Sequence, residues 1–154
     1  MQVKDLTIEY RKNPIGLDVN PRFSWKLESD KQNVMQRAYH VQVWKEESPE
    51  DGLEVGKGTC VWDSKKVEGD KSVLVPYQGE ELRPFTKYRV ELTVWDNQGE
   101  RGEACGFFET GLLEQKNWQA KWITHDFPQE ETACPVFTKK RTCEKEVVRA
   151  RAYV

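Results

Sequence analysis

The feature that most constrains this chain is a two-residue hydrophobic alternation that recurs along most of its length. It is cleanest where Tyr88, Val90, Leu92 and Val94 alternate with Arg89, Glu91, Thr93 and Trp95. Successive side chains of a strand point to opposite faces, so this pattern builds a sheet with one dry face and does not fit the 3.6-residue helical period. The same alternation places Leu6, Ile8 and Tyr10 on a first strand and Phe23, Trp25 and Leu27 on a second. In a third, Tyr39, Val41 and Val43 face one way while His40, Gln42 and Trp44 face the other. Residues 61–67 and 72–75 read as two shorter strands parted by Glu68-Gly69-Asp70, and 103–110 as the last of the unit. Asn13-Pro14-Ile15-Gly16, Asn20-Pro21, the charged stretch 46–58 and Asn97-Gln98-Gly99 supply turns and loops. Seven such strands bury their dry faces by packing as two antiparallel sheets, an all-β sandwich.

Length allows one ordinary domain plus an extension, at 154 residues. Only 37% of residues are hydrophobic, but six Trp, five Tyr and six Phe supply large apolar area from few positions. The net charge of −2 provides no basic field, so neither nucleic acid nor a membrane surface is an expected partner. The N-terminus carries no signal-like apolar run and no segment is apolar enough to span a bilayer, from which a cytoplasmic location is expected. Cys60, Cys105, Cys134 and Cys143 are scattered and only His40 and His125 join them, so no metal or other cofactor is expected. Free thiols are expected, although Cys134 and Cys143 are spaced to bridge on one hairpin.

The character changes after Gly111. Residues 1–112 are assigned to the sandwich and 113–134 to a linker, with a possible short helical turn at 112–117. Residues 135–154 are assigned to the first strands of a second, truncated β-sandwich, with candidates at 136–143 and 147–154. Trp118 and Trp122, on one face, are expected to clamp the two β-domains together. Strands left without their sheet would pair between chains, so a homo-oligomer through the C-terminal strands is a further expectation.

The most specific local motif is Leu82-Arg83-Pro84-Phe85-Thr86-Lys87-Tyr88. Leu, Pro, Thr and Tyr at two-residue intervals resemble the fibronectin type III signature, in which the tyrosine hydroxyl bonds the backbone at a corner before its strand. The sandwich is therefore read as a seven-stranded fibronectin type III/immunoglobulin-like fold, with Tyr88, Pro84, Trp25 and Tyr39 in structural roles. Asp63 and Asp96 follow aromatics near strand ends, where a carboxylate accepts backbone N–H bonds.

A wider set of segments occurs in order: Asn13-Pro14-Ile15-Gly16-Leu17-Asp18, Asn20-Pro21-Arg22-Phe23-Ser24-Trp25, 36–43, 61–67, Val94-Trp95-Asp96, 108–113 and 118–123. Together they resemble the N-terminal region of bacterial α-L-rhamnosidases, a glycoside hydrolase family. The resemblance implies a non-catalytic accessory module followed by a second β-sandwich and a helical (α/α) barrel. That barrel would hold the acidic residues that hydrolyse terminal α-L-rhamnosides with inversion, so no catalytic residue is carried over to this chain.

The alternative is an independent carbohydrate- or protein-binding module. Trp44 and Trp95 fall on the outward register of neighbouring strands and are the candidate sugar-stacking residues. They sit at opposite ends of those strands, at ~3.3 Å per residue too far apart for one platform. His40, on the same face, is expected to be simply exposed. The acidic pairs Glu46-Glu47 and Glu130-Glu131 read as solvated loop charge.

Overall fold

The computed structural model describes residues 1–46, 58–124, 134–147 and 150–152. Among these residues eight strands form two sheets: β1 (Gln2–Ile8), β2 (Arg22–Glu28), β3 (Gln36–Glu46), β4 (Gly58–Asp63), β5 (Val67–Glu68), β6 (Val75–Pro76), β7 (Lys87–Asp96) and β8 (Arg101–Glu109). One sheet runs β1-β2-β6 and the other β4-β3-β7-β8, with β5 also on β3; every pairing is antiparallel. This is the expected all-β sandwich.

The inward residues of both sheets meet in one core. Phe23 and Trp25 come from β2, Tyr39, Val41 and Val43 from β3, Tyr88, Val90, Leu92 and Val94 from β7, and Phe108 from β8. Aromatic pairs knit it: Phe23 stacks on Trp62 at 5.9 Å, Trp25 lies against Tyr39 at 5.4 Å, and Tyr88 stacks on Phe108 at 5.0 Å. The Trp25 indole N–H donates to Gln36 Oε1 at 2.9 Å, and Gln36 Nε2 donates to the Gly69 and Lys71 carbonyls, so this buried amide is satisfied.

Three departures from simple alternation have local causes. β1 starts at Gln2, carries an irregularity between Lys4 and Thr7 with Asp5 at φ 49°, and ends at Ile8. Ile8 exchanges backbone bonds with Arg11, and Tyr10, at φ 64°, turns outward and is 69% exposed instead of joining the core. The expected 61–67 strand breaks after Asp63, because Asp63 Oδ1 accepts the Lys65 N–H at 2.8 Å while Lys65 adopts φ 56°. The chain then rejoins β3 as β5. The 72–75 segment contributes only β6, Val75–Pro76, to the opposite sheet.

Past the sandwich, a single 3-10 turn spans Gln115–Asn117. The chain divides into two compact units, residues 1–119 and 120–154. Among the described residues of the second unit there is no strand, so the strand expected at 136–143 is not formed; Val136 and Phe137 are exposed. Half of 147–154 and the pair Glu130-Glu131 lie outside the described residues, as do His125 and most of the 46–58 loop. Trp118 is 42% exposed and Trp122 is fully exposed. The four cysteines are free.

Candidate functional site

The outward face of the larger sheet carries both candidate tryptophans. Trp44 pairs across with Arg89, and Trp95 with Ala38, so the two lie six positions apart along β7. At ~3.3 Å per residue that is roughly 20 Å, beyond the reach of one sugar ring. Each indole is already faced by a cation: the Arg89 guanidinium sits 5.6 Å from the Trp44 ring and Lys66 Nζ 5.1 Å from Trp95. Lys87 similarly covers Phe107 at 4.4 Å and bonds Glu46 at 2.9 Å. One face of each candidate indole is therefore covered by a cationic side chain of the module itself.

His40 is not simply exposed. Its Nε2 lies 2.6 Å from Asp63 Oδ1, and the side chain is three-quarters buried. Asp63 Oδ2 accepts Lys65 Nζ at 2.8 Å. The Lys65 ammonium and N–H, then His40, hold the Asp63 carboxyl far below the usual carboxylate range. Cations act the same way elsewhere. Lys31 and then the Met1 amine lower Glu100 to about 2, Arg22 lowers Glu9, and Lys12 with Lys26 lowers Asp5. Among the described residues, each carboxyl with a displaced titration is displaced downward. A general acid needs the opposite, a carboxyl kept protonated by burial or by a like charge. No group of three His, Cys, Asp or Glu there could hold a metal ion.

The end of the sandwich where β7 begins and β8 finishes is held by a set of side-chain and backbone hydrogen bonds. Tyr88 is buried and its Oη accepts the Arg83 N–H at 2.8 Å, with Pro84 in the connection before β7. Thr110, fully buried, donates from Oγ1 to the Arg83 carbonyl at 2.6 Å and accepts the Thr86 N–H at 2.9 Å. The 13–18 segment lies along the outer edge of β8. Asn13 Oδ1 accepts the Phe107 N–H, the Pro14 carbonyl accepts Glu109 N–H, and Leu17 N–H donates to the Glu109 carbonyl, each at 2.9 Å. Gly111 N–H returns a bond to the Leu17 carbonyl at 2.8 Å. An edge that would otherwise present open donors and acceptors is thus covered. Asp18 Oδ1 then accepts the Leu113 N–H at 3.0 Å. Beside it opens a shallow cleft of about 550 Å³ lined by Asp18, Val19, Glu81, Arg83, Leu113 and Asn117, among others.

A family model described as Rha78A-like, N-terminal immunoglobulin domain, matches residues 3–114. The chain belongs to this family. It is 41% identical over 134 residues to an α-L-rhamnosidase of Streptomyces avermitilis, covering 85% of this chain and 12% of that protein. An α-L-rhamnosidase of Formosa agariphila is 39% identical over 118 residues, 74% of this chain and 12% of the relative. Among solved structures, the Streptomyces avermitilis α-L-rhamnosidase complexed with L-rhamnose superposes with a TM-score of 0.68 at 40% identity, over 80% of this chain and 12% of that one. The α-L-rhamnosidase from Dictyoglumus thermophilum gives a TM-score of 0.67 at 37% identity, over 80% and 14%. The immunoglobulin-like module thus spans about an eighth of the length of such relatives and is a domain of a larger protein.

Seen on the fold, the segments that carry the family likeness are structural parts. Asn13 to Asp18 covers the β8 edge, Asp63 ends β4, and Asp96 Oδ1 accepts the Gln98 and Glu100 N–H groups at 2.8 and 2.9 Å to close the β7–β8 turn. The sequence reading missed the pairing of Asp18 with Leu113. The Asp-Val-Asn-Pro run at 18–21 signals a turn, but nothing in spacing alone tells which distant N–H its carboxylate meets.

Proposed function

We propose that this chain is the N-terminal accessory module of an α-L-rhamnosidase, non-catalytic in itself, whose full-length form hydrolyses terminal α-L-rhamnosides with inversion. The observation that carries this reading is the 41% identity over 134 residues to a rhamnosidase of which the match covers only 12%. The downward titration of the displaced carboxyls supports it, because such groups are poor proton donors near neutrality. Its partners are then the domains that follow in the same polypeptide, a second β-sandwich and a helical barrel. The cation-capped state of Trp44 and Trp95 speaks against an independent sugar platform.

The test compares the 154-residue chain with the full-length protein that carries it, using p-nitrophenyl α-L-rhamnopyranoside. The expected result is release by the full-length protein only, with β-L-rhamnose as the first anomer seen by proton NMR. Release by the 154-residue chain, or none by the full-length protein, would overturn the reading; an α anomer formed first would overturn inversion.

A further inference from the structure

The structure assigns Asp18 a role beyond its own loop: it locks the polypeptide leaving the sandwich into a fixed exit strut. This inference rests on the reading of the chain as one module of a longer enzyme. Residues 113–134 were expected to be a linker, and a linker rich in polar residues is ordinarily a flexible tether. Several backbone groups of residues 111–118 are instead held by hydrogen bonds. Gly111 N–H donates to Leu17 and its carbonyl accepts the Phe85 N–H at 3.0 Å. The Leu112 carbonyl accepts Asn117 Nδ2 at 2.7 Å and the Glu114 N–H at 2.7 Å. Trp118 N–H closes the 3-10 turn on the Gln115 carbonyl at 3.0 Å.

Leu113 stands at φ 60°, a left-handed conformation that costs a non-glycine residue on the order of 1 kcal/mol or more. Such a conformation persists where its surroundings impose it. Here its N–H is taken by Asp18 Oδ1 and its side chain packs on the core cluster. A Cβ at position 111 would overlap the Asp18 carboxylate, so a larger residue there would displace that side chain from its bond. Asp18 therefore fills the space beside Gly111 and bonds the residue two further on. It reaches 95 positions along the chain to fix the point where the module ends. A sandwich whose last strand ran into free chain would let the next domain tumble. This one sets the direction of departure.

The experiment is amide hydrogen exchange on the 154-residue chain, wild type, Asp18→Ala and Asp18→Asn. In wild type the Leu113 and Trp118 amides are expected to be protected. In Asp18→Ala both should exchange about tenfold faster, as loss of one charge-assisted bond implies, while core amides of Val90 and Val94 stay unchanged. Asp18→Asn keeps an acceptor oxygen and should remain within about threefold of wild type. A Leu113 amide that exchanges at the rate of an unstructured peptide in wild type, or equally in all three proteins, overturns the assignment. In the full-length protein, Asp18→Ala should broaden the distance distribution from small-angle scattering with kcat on a rhamnoside unchanged; an identical distribution would also overturn it. Exchange is read without substrate, so its outcome is separate from whether the parent cleaves rhamnosides.

Discussion

Single polar atoms decide much of this module's stability. The Tyr88 hydroxyl is the acceptor for the Arg83 N–H at a corner that is otherwise sealed by Thr110. Removing that oxygen leaves the Arg83 N–H without its partner. Tyr88→Phe is expected to cost about 1–3 kcal/mol, the usual penalty for an orphaned partner. It should appear as a lower urea midpoint with an unchanged slope; a midpoint equal to wild type would show that the corner bond is dispensable. At this scale the sequence was partly informative. A Tyr after Pro and Thr at fixed spacing pointed to a corner, and Asp63 and Asp96 were legible as caps because Asp bonds N–H groups two residues ahead. His40 was not legible, because alternation gives the face a side chain points to, and not whether a carboxylate on the neighbouring strand waits there.

Between elements, the close approach of β1 to β8 depends on glycine. A Cβ at Gly102 would stand 3.0 Å from Val3 Cγ2 and 3.3 Å from Val3 N, and one at Gly106 3.3 Å from Leu6 Cδ2. Gly102→Val is therefore expected to push β1 outward at a cost of about 1–3 kcal/mol. Proteolysis should then nick the β1–β2 connection earlier than in wild type; unchanged cleavage and stability would mean the strands separate without loss. Element existence was well marked by period two, and element boundaries less so. β1 stopped two residues before its apolar pattern, since Ile8 turns back on Arg11. The 61–67 run split because a single carboxylate captured Lys65. Both are backbone events set by hydrogen bonds, to which a hydrophobic pattern is blind.

For the molecule as a whole, three buried phenols link folding to alkaline pH. Burial pushes Tyr39, Tyr77 and Tyr88 above their ordinary pKa of 10.0. A group whose folded pKa is raised contributes stability that is fully present below its unfolded value and is lost as pH rises beyond it. Stability should accordingly hold up to about pH 10 and fall above it. The lysines held by carboxylates, Lys31, Lys65 and Lys116, are raised too and add to the same decline. Urea unfolding between pH 8 and 11.5 measures this, and Tyr77→Phe should flatten the alkaline limb; an equal slope in the variant would show that Tyr77 does not contribute to the loss.

Sequence alone determined the sandwich, its dry and wet faces, and the kinship of residues 1–112 with rhamnosidase N-terminal regions, because alternation and turn residues are local properties written into neighbouring positions. The tertiary structure alone decided which atoms meet across long separations. It put cations over Trp44 and Trp95, paired His40 with Asp63, laid 13–18 along β8, and set Asp18 on Leu113. Those contacts depend on how two twisted sheets bring remote loops together, a geometry that no spacing along the chain encodes.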